Sequence, residues 1–386
     1  MKRTVVLRFS LLLLCLFFTK NSVVATTGNS AHKVRTHVVT GAAGYLAKEL
    51  CHTILENAGP GIADRIIGLV RQSKLKDEIR YWEKISTHIE VVDMDQFKES
   101  LSSVRKRSEQ VIVYCVASNF KPAASLPDNS PSSEEDRAKE NVRLFEDTIE
   151  TSFASNVDRI IITSSMAAVR GPGQIPCMYS DGSYFTNNDW NTVSKLSRDS
   201  FASSYQWSKM KSEKRAWEIA GSYDQATQFV SMCPSMIFGP IRDASQRGYS
   251  YDLMKAWLDG SRKVESRLVV DVRDAALAHY RAATWPLSTD THIHNKRYIV
   301  SPECRLSAAE TLRVLQGTAR ELHIIPPEQT GSMCCDDAFT GGAVPIGAKE
   351  VDAAEMLEND LGIICRPVSS TLQDMLVSMK PYLSTS

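Results

Sequence analysis

The chain contains 386 residues, of which 43% are hydrophobic and 23% are charged. That length and apolar content allow a sizeable core and exclude a wholly disordered chain. Lys and Arg together number 45, as do Asp and Glu, so the net charge is zero and no basic run is present. We therefore expect no nucleic-acid partner.

The first 25 residues are typical of a targeting segment. Three basic residues among the first eight precede an apolar run, Phe9 to Phe18, and Ala25 offers a small residue for cleavage. The run is too short to span a bilayer comfortably, so we expect no stable membrane anchor. We predict a signal peptide over residues 1–25 and a secretory or extracellular destination. No acidic residue precedes Glu49, which also fits a bipartite or organellar presequence.

Nine cysteines are scattered along the chain without a C-x-x-C motif or zinc-ligand spacing, so we expect no metal site. Cys115 and Cys233 lie in apolar, strand-like runs, where a buried free thiol is expected. The adjacent Cys334 and Cys335 are expected to lie in a loop rather than to act as a redox pair. A secretory route would permit disulfides, but spacing alone assigns none.

The first predicted βα unit surrounds two glycines. Thr36 to Thr40 is rich in β-branched residues and predicts a buried strand. Gly41 and Gly44 then break that pattern, and an apolar face at helical spacing resumes at Ala47. The first glycine permits a tight turn, the second removes a Cβ where a pyrophosphate approaches, and the helix N-terminus offers free N–H groups. The turn therefore predicts a dinucleotide site.

Strand-like and helix-like runs alternate from this unit to residue 240. Such alternation predicts an α/β fold with a doubly wound, parallel sheet of Rossmann type. The predicted strands are Arg65–Arg71, Ile89–Asp95, Val111–Ser118, Arg159–Ser165 and Gln228–Pro234. The predicted helices are Ser133–Ser155 and Ser203–Ala220, and residues 121–133 and 170–195 are predicted to be loops.

Beyond Pro240 the alternation loosens. We predict a Rossmann domain over residues 35–240 and a smaller C-terminal substrate-binding region over residues 241–386. His279 lies in an apolar helical pattern and is expected to be a core or surface residue rather than a catalytic base. The elements predicted here are a helix over Val270–Trp285, a strand over Arg297–Val300, a helix opened by a capping box of Ser307 and Glu310, and a loop over 324–348.

The end of the second predicted strand bears on which dinucleotide binds. A carboxylate there would suit the ribose 2′-OH of NAD, but this chain has Arg71, which suits the 2′-phosphate of NADP. Lys74 and Lys76 add positive charge, although a solvated basic loop would have the same composition. Asp93, near the end of the third strand, can accept a hydrogen bond from an adenine amine. We predict NADP(H) as the cofactor, with NAD less favoured.

Three residues form a candidate catalytic set. Tyr205 and Lys209 stand four residues apart in a predicted helix, so they share one face. An ammonium group near a phenol stabilises the phenolate and lowers its pKa, which would suit acid–base chemistry. Ser165 ends the fifth predicted strand, at the edge where α/β sheets bind ligands. Each residue alone has a simpler explanation, but their order after a glycine turn favours catalysis.

Several short motifs follow one another in a fixed order. They are Thr40-Gly41-x-x-Gly44-x-x-Ala47, Val70-Arg71, Val116-Ala117-Ser118, Thr163-Ser164-Ser165, Tyr205-x-x-Ser208-Lys209-x-x-x-Glu213, Pro234-Ser235-Met236-Ile237-Phe238-Gly239-Pro240 and Asp271-Val272-Arg273-Asp274-Ala275. In these motifs the chain resembles the extended short-chain dehydrogenases/reductases of the NAD-dependent epimerase/dehydratase family. The resemblance is strongest to the group of dihydroflavonol, cinnamoyl-CoA and methylglyoxal reductases, and it covers about residues 35–380.

The resemblance implies roles for these residues. Ser165 and Tyr205 would hydrogen-bond a substrate carbonyl oxygen, Tyr205 would donate the proton, and Lys209 would bind ribose and tune Tyr205. The residues implied to line the cofactor are Gly41, Gly44, Tyr45, Leu46, Arg71, Asp93, Ala117 and Lys209, with Pro234 and Ser235 near the nicotinamide. Arg170 stands where flavonoid reductases have Asn, and the aromatic block of cinnamoyl-CoA reductases is absent, so neither plant substrate is implied.

We therefore predict an NADPH-dependent reductase of a small aldehyde or ketone. The alternatives are an NAD-dependent nucleotide-sugar epimerase or dehydratase, a sterol-type dehydrogenase, and a non-catalytic nucleotide-binding protein. Arg71 argues against the epimerase, because epimerases of this fold usually take NAD. The complete set of Ser165, Tyr205 and Lys209 argues against the non-catalytic protein. The sequence does not choose an oligomeric state.

Overall fold

The computed structural model describes residues 34–58, 64–106, 110–118, 133–223, 226–285, 294–324, 333–336 and 344–383. The signal peptide predicted over residues 1–25 lies outside these ranges, as do most of the predicted loop 121–133 and much of the predicted loop 324–348. Within the described ranges, no helix combines the length and the apolar character needed to cross a membrane.

Strands and helices alternate along most of the described chain. The strands are β1 (Arg35–Thr40), β2 (Asp64–Val70), β3 (Ile89–Asp93), β4 (Gln110–Cys115), β5 (Arg159–Thr163), β6 (Cys177–Tyr179), β7 (Gly182–Tyr184), β8 (Gln228–Pro234), β9 (Met236–Phe238), β10 (Val269–Asp271) and β11 (Lys296–Val300). The helices are α1 (Tyr45–Glu56), α2 (Gln72–Trp82), α3 (Phe97–Arg105), α4 (Glu134–Ala154), α5 (Met166–Val169), α6 (Phe201–Ser222), α7 (Tyr249–Leu258), α8 (Val272–Thr284), α9 (Ala308–Glu321), α10 (Ala354–Leu361) and α11 (Val368–Leu383).

Seven of these strands form one parallel sheet in the order β11-β8-β5-β4-β1-β2-β3. The predicted doubly wound Rossmann sheet is thus confirmed, and each predicted strand is present. Some strands end earlier than predicted. The third strand stops at Asp93 because the Asp93 side chain accepts a hydrogen bond from the Asp95 N–H and caps a short 3₁₀ helix, Met94–Gln96.

Alternate residues of the strands face opposite layers, as expected for a sheet buried on both sides. Val39 contributes to a core formed with α1, α8 and α10, whereas its neighbour Val38 contributes to a core formed with α3, α4 and α6. A third, smaller core lies among α7, α9, α11, β9 and β10. Apart from β9, the elements of this third core lie beyond residue 240, and β11, which also lies beyond residue 240, joins the main sheet instead.

Two pairs of short strands were not predicted. β6 and β7 form an antiparallel hairpin inside the segment 170–195 that we predicted to be a loop, and β10 pairs with β9 in a two-stranded sheet. The helix predicted from Val270 therefore begins only after Asp271, whose carboxylate accepts from the Arg273 N–H at 2.9 Å and caps α8. Three-residue strands are too short to produce a periodic pattern. The predicted capping box of Ser307 and Glu310 is present at α9.

His279 on α8 is a core histidine, the first of the two positions that the sequence left open. Its Nε2 lies 2.9 Å from the Thr163 hydroxyl oxygen, and its Nδ1 lies 2.7 Å from the Ala275 carbonyl oxygen. A neutral ring that donates from Nδ1 and accepts at Nε2 satisfies both contacts. Burial lowers the pKa of His279 to about 4, because the charged form would lose its hydration.

We expect His279 to make folding sensitive to mild acid. The unfolded histidine takes a proton near pH 6.5 and the folded one only near pH 4, so the unfolded state binds more protons between these values and stability falls as the pH drops through that window. For this group alone the expected loss of unfolding free energy from pH 7 to pH 4.5 is about 2–3 kcal/mol. Urea unfolding of the parent and of His279→Gln, each at pH 7 and at pH 4.5, measures this loss of stability. A variant that loses as much stability as the parent would refute the assignment.

Candidate active site

The glycine turn after β1 has the shape needed for close approach to a ligand. Gly41 has a φ of +69°, and a Cβ there would lie 3.0 Å from the Ala117 Cα. Gly44 is the N-cap residue of α1, and a Cβ there would lie 3.1 Å from the Gly41 carbonyl oxygen. No side chain caps the N-terminus of α1, so its first backbone N–H groups keep their positive potential for an anion.

Tyr45 and Leu46, both predicted to line the cofactor, direct their side chains elsewhere. The Tyr45 hydroxyl donates to the Gly239 carbonyl oxygen at 2.5 Å, and burial raises its pKa. The Leu46 side chain is buried in the core beneath α1. Contacts of these two residues with a phosphate would therefore come from the backbone.

Thr40 organises the same turn and was not predicted as a site residue. Its hydroxyl oxygen accepts from the N–H groups of Val116 and Ala117 at 3.0 and 3.1 Å, and the hydroxyl donates to the Tyr114 carbonyl oxygen at 3.2 Å. These bonds hold Ala117 against Gly41. The threonine at the end of the first strand was the available signal, but its partners lie 74 to 77 positions further along the chain.

The predicted adenosine contacts lie at the ends of β2 and β3. Arg71 precedes α2 as its N-cap residue and is exposed, as are Lys74 and Lys76. Asp93 uses Oδ1 to accept from the Asp95 N–H at 3.0 Å, while its Oδ2 is buried and has no hydrogen-bond partner among the described residues. A carboxylate oxygen in that condition fits a donor such as an adenine amine. The glycine turn and Asp93 together fit an adenine dinucleotide.

Ser165, Tyr205 and Lys209 come together at the carboxyl end of β5. Ser165 is the N-cap of α5, and its side chain accepts from the Ala167 N–H at 3.1 Å. The Ser165 side chain also hydrogen-bonds the Tyr205 hydroxyl. Lys209 is buried, and its Nζ donates to the Thr163 carbonyl oxygen at 2.9 Å. The hydroxyl of the neighbouring Ser164 donates to the buried carboxylate of Glu213 instead.

Burial shifts both titratable groups of this set towards their neutral forms. It raises the pKa of Tyr205 above the usual range for a phenol, and the hydrogen bond from Ser165 offsets this only in part. It lowers the pKa of Lys209 to about 8, against the opposing influence of Cys233 and Glu213. We expected Lys209 to lower the pKa of Tyr205, but here burial dominates and the ammonium group is engaged by Thr163. The phenol is therefore protonated at neutral pH.

Pro234 and Ser235 are predicted to lie near the nicotinamide; Pro234 is the last residue of β8, and Ser235 follows it directly. Both are buried, and Ser235 is fixed to the end of β11 by two contacts. Its N–H donates to the Val300 carbonyl oxygen at 3.2 Å, and its hydroxyl accepts from Ser301 at 2.9 Å. These two contacts therefore hold the residue that follows β8 against the end of β11.

A buried ion pair behind Lys209 was not predicted. Glu213, one turn further along α6, is only 1% exposed and accepts two hydrogen bonds from the Arg297 guanidinium at 2.7 and 3.0 Å. It also accepts from Ser164 at 2.7 Å and from Ser231 at 2.5 Å. Through these hydrogen bonds, Glu213 joins α6 to the end of β5, to β8 and to β11. The Glu213 in the helix motif was visible in the sequence, but nothing there identified Arg297.

Arg297 extends this network to the loop before α6. It donates to the carbonyl oxygens of Asn187 and Asp189, and its guanidinium lies 4.0 Å from the centre of the Trp190 ring. The next residue, Asn191, donates from its side chain to the Ala167 carbonyl oxygen at 2.7 Å. The loop thereby holds α5, and Ser165 at its start, against the sheet.

Arg170, which replaces an asparagine of the flavonoid reductases, pairs with the buried carboxylate of Glu350. Arg305 contacts the same carboxylate, with its Nε 3.1 Å from Oε2. Arg170 therefore belongs to a cluster that joins α5 to the C-terminal region.

The chain has clear similarity to known proteins. The profile of the NAD dependent epimerase/dehydratase family matches residues 37–295. An uncharacterized oxidoreductase of Saccharomyces cerevisiae is 29% identical over 152 residues, which cover 36% of this chain and 42% of that protein. A ketoreductase of Aspergillus niger is 26% identical over 164 residues, covering 38% of this chain and 46% of that protein. The matches thus span less than half the length of either curated relative.

Solved structures share the fold. Yeast methylglyoxal/isovaleraldehyde reductase Gre2, solved with NADPH, superposes with a TM-score of 0.68 at 19% identity, covering 91% of this chain and 100% of that one. Gre2 from Candida albicans gives 0.67 at 18% identity over the same shares. UDP-glucose 4-epimerase from Thermotoga maritima gives 0.61 at 14% identity, covering 90% and 99%. Identities this low establish the fold alone.

Neutralising Glu213 should destabilise the protein strongly. Glu213→Gln preserves the shape of the side chain but leaves the Arg297 cation buried without its counter-ion, which costs about 3–5 kcal/mol of unfolding free energy. Glu135→Gln is the matched control, because it removes the same charge from an exposed ion pair with Lys139 on α4. Denaturant unfolding should show a large loss for the first variant and no measurable loss for the second. Equal stabilities would contradict the role given to Glu213.

Proposed function

This chain belongs to the NAD-dependent epimerase/dehydratase family, and from that premise we propose that it is an NADPH-dependent reductase of small aldehydes or ketones. The family predicted from the motifs is thereby confirmed, and with it a nicotinamide dinucleotide as the family's cofactor. The observation that carries the proposal is the hydrogen-bonded pair of Ser165 and a protonated Tyr205 at the end of β5.

The proposed roles follow from the contacts of each side chain. A bound nicotinamide would supply the hydride that reduces the carbonyl carbon. Tyr205 would donate its hydroxyl proton to the carbonyl oxygen, and Ser165 would hydrogen-bond the same oxygen and keep the phenol aligned. Lys209 would offer its ammonium protons to ribose hydroxyls, because its Nζ uses only one proton in its bond with Thr163.

The choice of NADPH over NADH rests on Arg71. Its guanidinium is exposed at the end of β2, next to the glycine turn that β1 and β2 support. A guanidinium suits a 2′-phosphate, and the absence of a carboxylate at this position disfavours NAD. The same residue argues against an NAD-retaining epimerase. The similarity to the Aspergillus ketoreductase and to yeast Gre2, a methylglyoxal/isovaleraldehyde reductase, supports carbonyl reduction.

We expect Tyr205→Phe to abolish most carbonyl reduction while leaving the fold intact. The variant keeps the ring and loses only the hydroxyl group that would donate the proton, so kcat should fall by about 10²–10⁴. The rate at which NADPH absorbance falls at a saturating aldehyde concentration measures kcat. Tyr223→Phe is the matched control, because Tyr223 ends the same helix and is 37% exposed. Equal activity of the two variants would remove Tyr205 from the mechanism.

Arg71→Ala should weaken binding of NADPH and leave binding of NADH nearly unchanged. Losing a charge-assisted contact with a phosphate typically costs about 1.5–3 kcal/mol, or roughly 10–100-fold in affinity. Dissociation constants for both dinucleotides can be measured by titration without turnover. Arg80→Ala, which removes an exposed arginine from the far end of α2, should change neither constant. A parallel loss of affinity for both dinucleotides would count against a 2′-phosphate contact.

A further inference from the structure

Asn191 connects the two helices that hold the proposed catalytic pair. It lies in the loop before α6 and is only 1% exposed, whereas the next residue, Thr192, is exposed. Its Nδ2 donates to the Ala167 carbonyl oxygen at 2.7 Å, and its backbone N–H donates to the Ala168 carbonyl oxygen at 2.8 Å. Both alanines belong to α5, the helix that Ser165 caps. Asn191 therefore holds α5 at two successive carbonyl groups.

The helix α5 is a single turn and needs partners from outside. It contains four residues, and the Arg170 N–H that follows it donates to the Met166 carbonyl oxygen at 2.9 Å. The last carbonyl groups of a helix have no partner within the helix, and one turn does not stabilise itself in water. Asn191 supplies donors to such carbonyl groups, so it helps to fix the position of α5 and of Ser165 at its start.

The amide of Asn191 uses its whole hydrogen-bonding capacity. Its Nδ2 also donates to the Ser194 hydroxyl oxygen at 2.9 Å, and its Oδ1 accepts from the N–H groups of Val193 and Ser194 at 3.1 and 3.0 Å. Together with the bond to Ala167, these contacts account for both donors and both acceptor sites of an amide. The orientation of the side chain is therefore fixed, and an ionised aspartate, which has no donor, could not reproduce it.

Ser194 continues the connection to α6. Its hydroxyl oxygen accepts from Asn191, and its hydroxyl donates to Oε1 of Gln206 at 2.9 Å. Gln206 directly follows Tyr205 on α6. The chain of hydrogen bonds thus runs from α5, through Asn191 and Ser194, to the residue beside the proposed proton donor.

The loop around Asn191 is also held by contacts that do not use its side chain. The Gln174 side chain donates to the Trp190 carbonyl oxygen at 2.9 Å and accepts from the Thr192 N–H at 3.1 Å. These two bonds flank Asn191 on both sides. Changing the Asn191 side chain should therefore leave the loop in place while releasing α5.

We propose that Asn191 is a positioning residue that keeps the hydroxyl groups of Ser165 and Tyr205 in register for proton transfer. The proposal rests on the proposed reductase function. In this role Asn191 acts through α5 and α6 and not on the reacting atoms. Ser165 and Tyr205 stand on different elements, and a displacement of about 1 Å between reacting groups can lower a rate by about 100-fold.

Asn191→Asp tests this role because it keeps the size of the side chain and removes both donors. We expect kcat for reduction by NADPH to fall about 10–100-fold, while KM for NADPH changes by less than about threefold, because the predicted cofactor contacts do not involve Asn191. Asn188→Asp is the matched control. It makes the same change at an exposed position of the same loop and should alter neither constant.

A double-mutant cycle separates positioning from general damage to the fold. In a Ser165→Ala background no hydroxyl group remains for Asn191 to align, so Asn191→Asp should lower kcat there by less than about threefold. An equal loss of kcat in both backgrounds would refute the proposal. If Asn191→Asp does not fold, Ser194→Ala takes its place in the cycle, because it removes only the link to Gln206.

Hydrogen exchange provides a measurement that needs no turnover. The Arg170 N–H, bonded to the first residue of α5, should exchange at least about tenfold faster in Asn191→Asp than in the parent, while the amides of β1 are unchanged. If the parent is active and Asn191→Asp retains its kcat, the positioning role is refuted and the reductase function stands. If the parent reduces no aldehyde or ketone, the reductase function is wrong, and the exchange rate alone decides whether Asn191 holds α5.

Discussion

The site depends on a helix whose buried face is polar. Ser204, Ser208, Lys209, Ser212 and Glu213 are all buried on α6, where a helix packed on a sheet would ordinarily bury apolar side chains. Burying a carboxylate and an ammonium group removes their hydration, which costs several kcal/mol for each ion unless a partner is close. Arg297 provides that partner for Glu213, and Thr163 provides an acceptor for Lys209. The packing of α6 on β5 is thus specified by polar contacts.

The same contacts explain how distant segments hold the candidate catalytic groups in register. Glu213 binds Ser164, the residue next to Ser165, so the helix with Tyr205 and the strand end with Ser165 share one anchor. Arg297 adds the loop before α6 through the Asn187 and Asp189 carbonyl groups. A catalytic pair on different elements needs such a rigid second layer, because small displacements of reacting groups reduce rates severely.

The features that the sequence predicts well are those decided by neighbours in the chain. The glycine turn at Gly41, the strand predicted over Thr36–Thr40 and the capping box at Ser307 each follow from a few adjacent residues. The pair of Glu213 and Arg297 joins residues 84 positions apart, and Arg297 by itself resembles any arginine in a strand. The raised pKa of Tyr205 likewise depends on burial by packing that no local pattern reports.

That raised pKa is compatible with the proposed role. The proton must leave Tyr205 for the oxygen of a carbonyl that has gained a hydride, and an alkoxide is a stronger base than a phenolate. Even a phenol with a raised pKa therefore gives its proton to such an oxygen, while burial disfavours its loss to water. The phenolate left behind is the disfavoured form, so burial also drives its reprotonation. Lys209, with its pKa lowered to about 8, is still mostly protonated at neutral pH and lies one turn further along the helix, where its positive charge would favour the phenolate and so assist the transfer of the proton to the substrate oxygen.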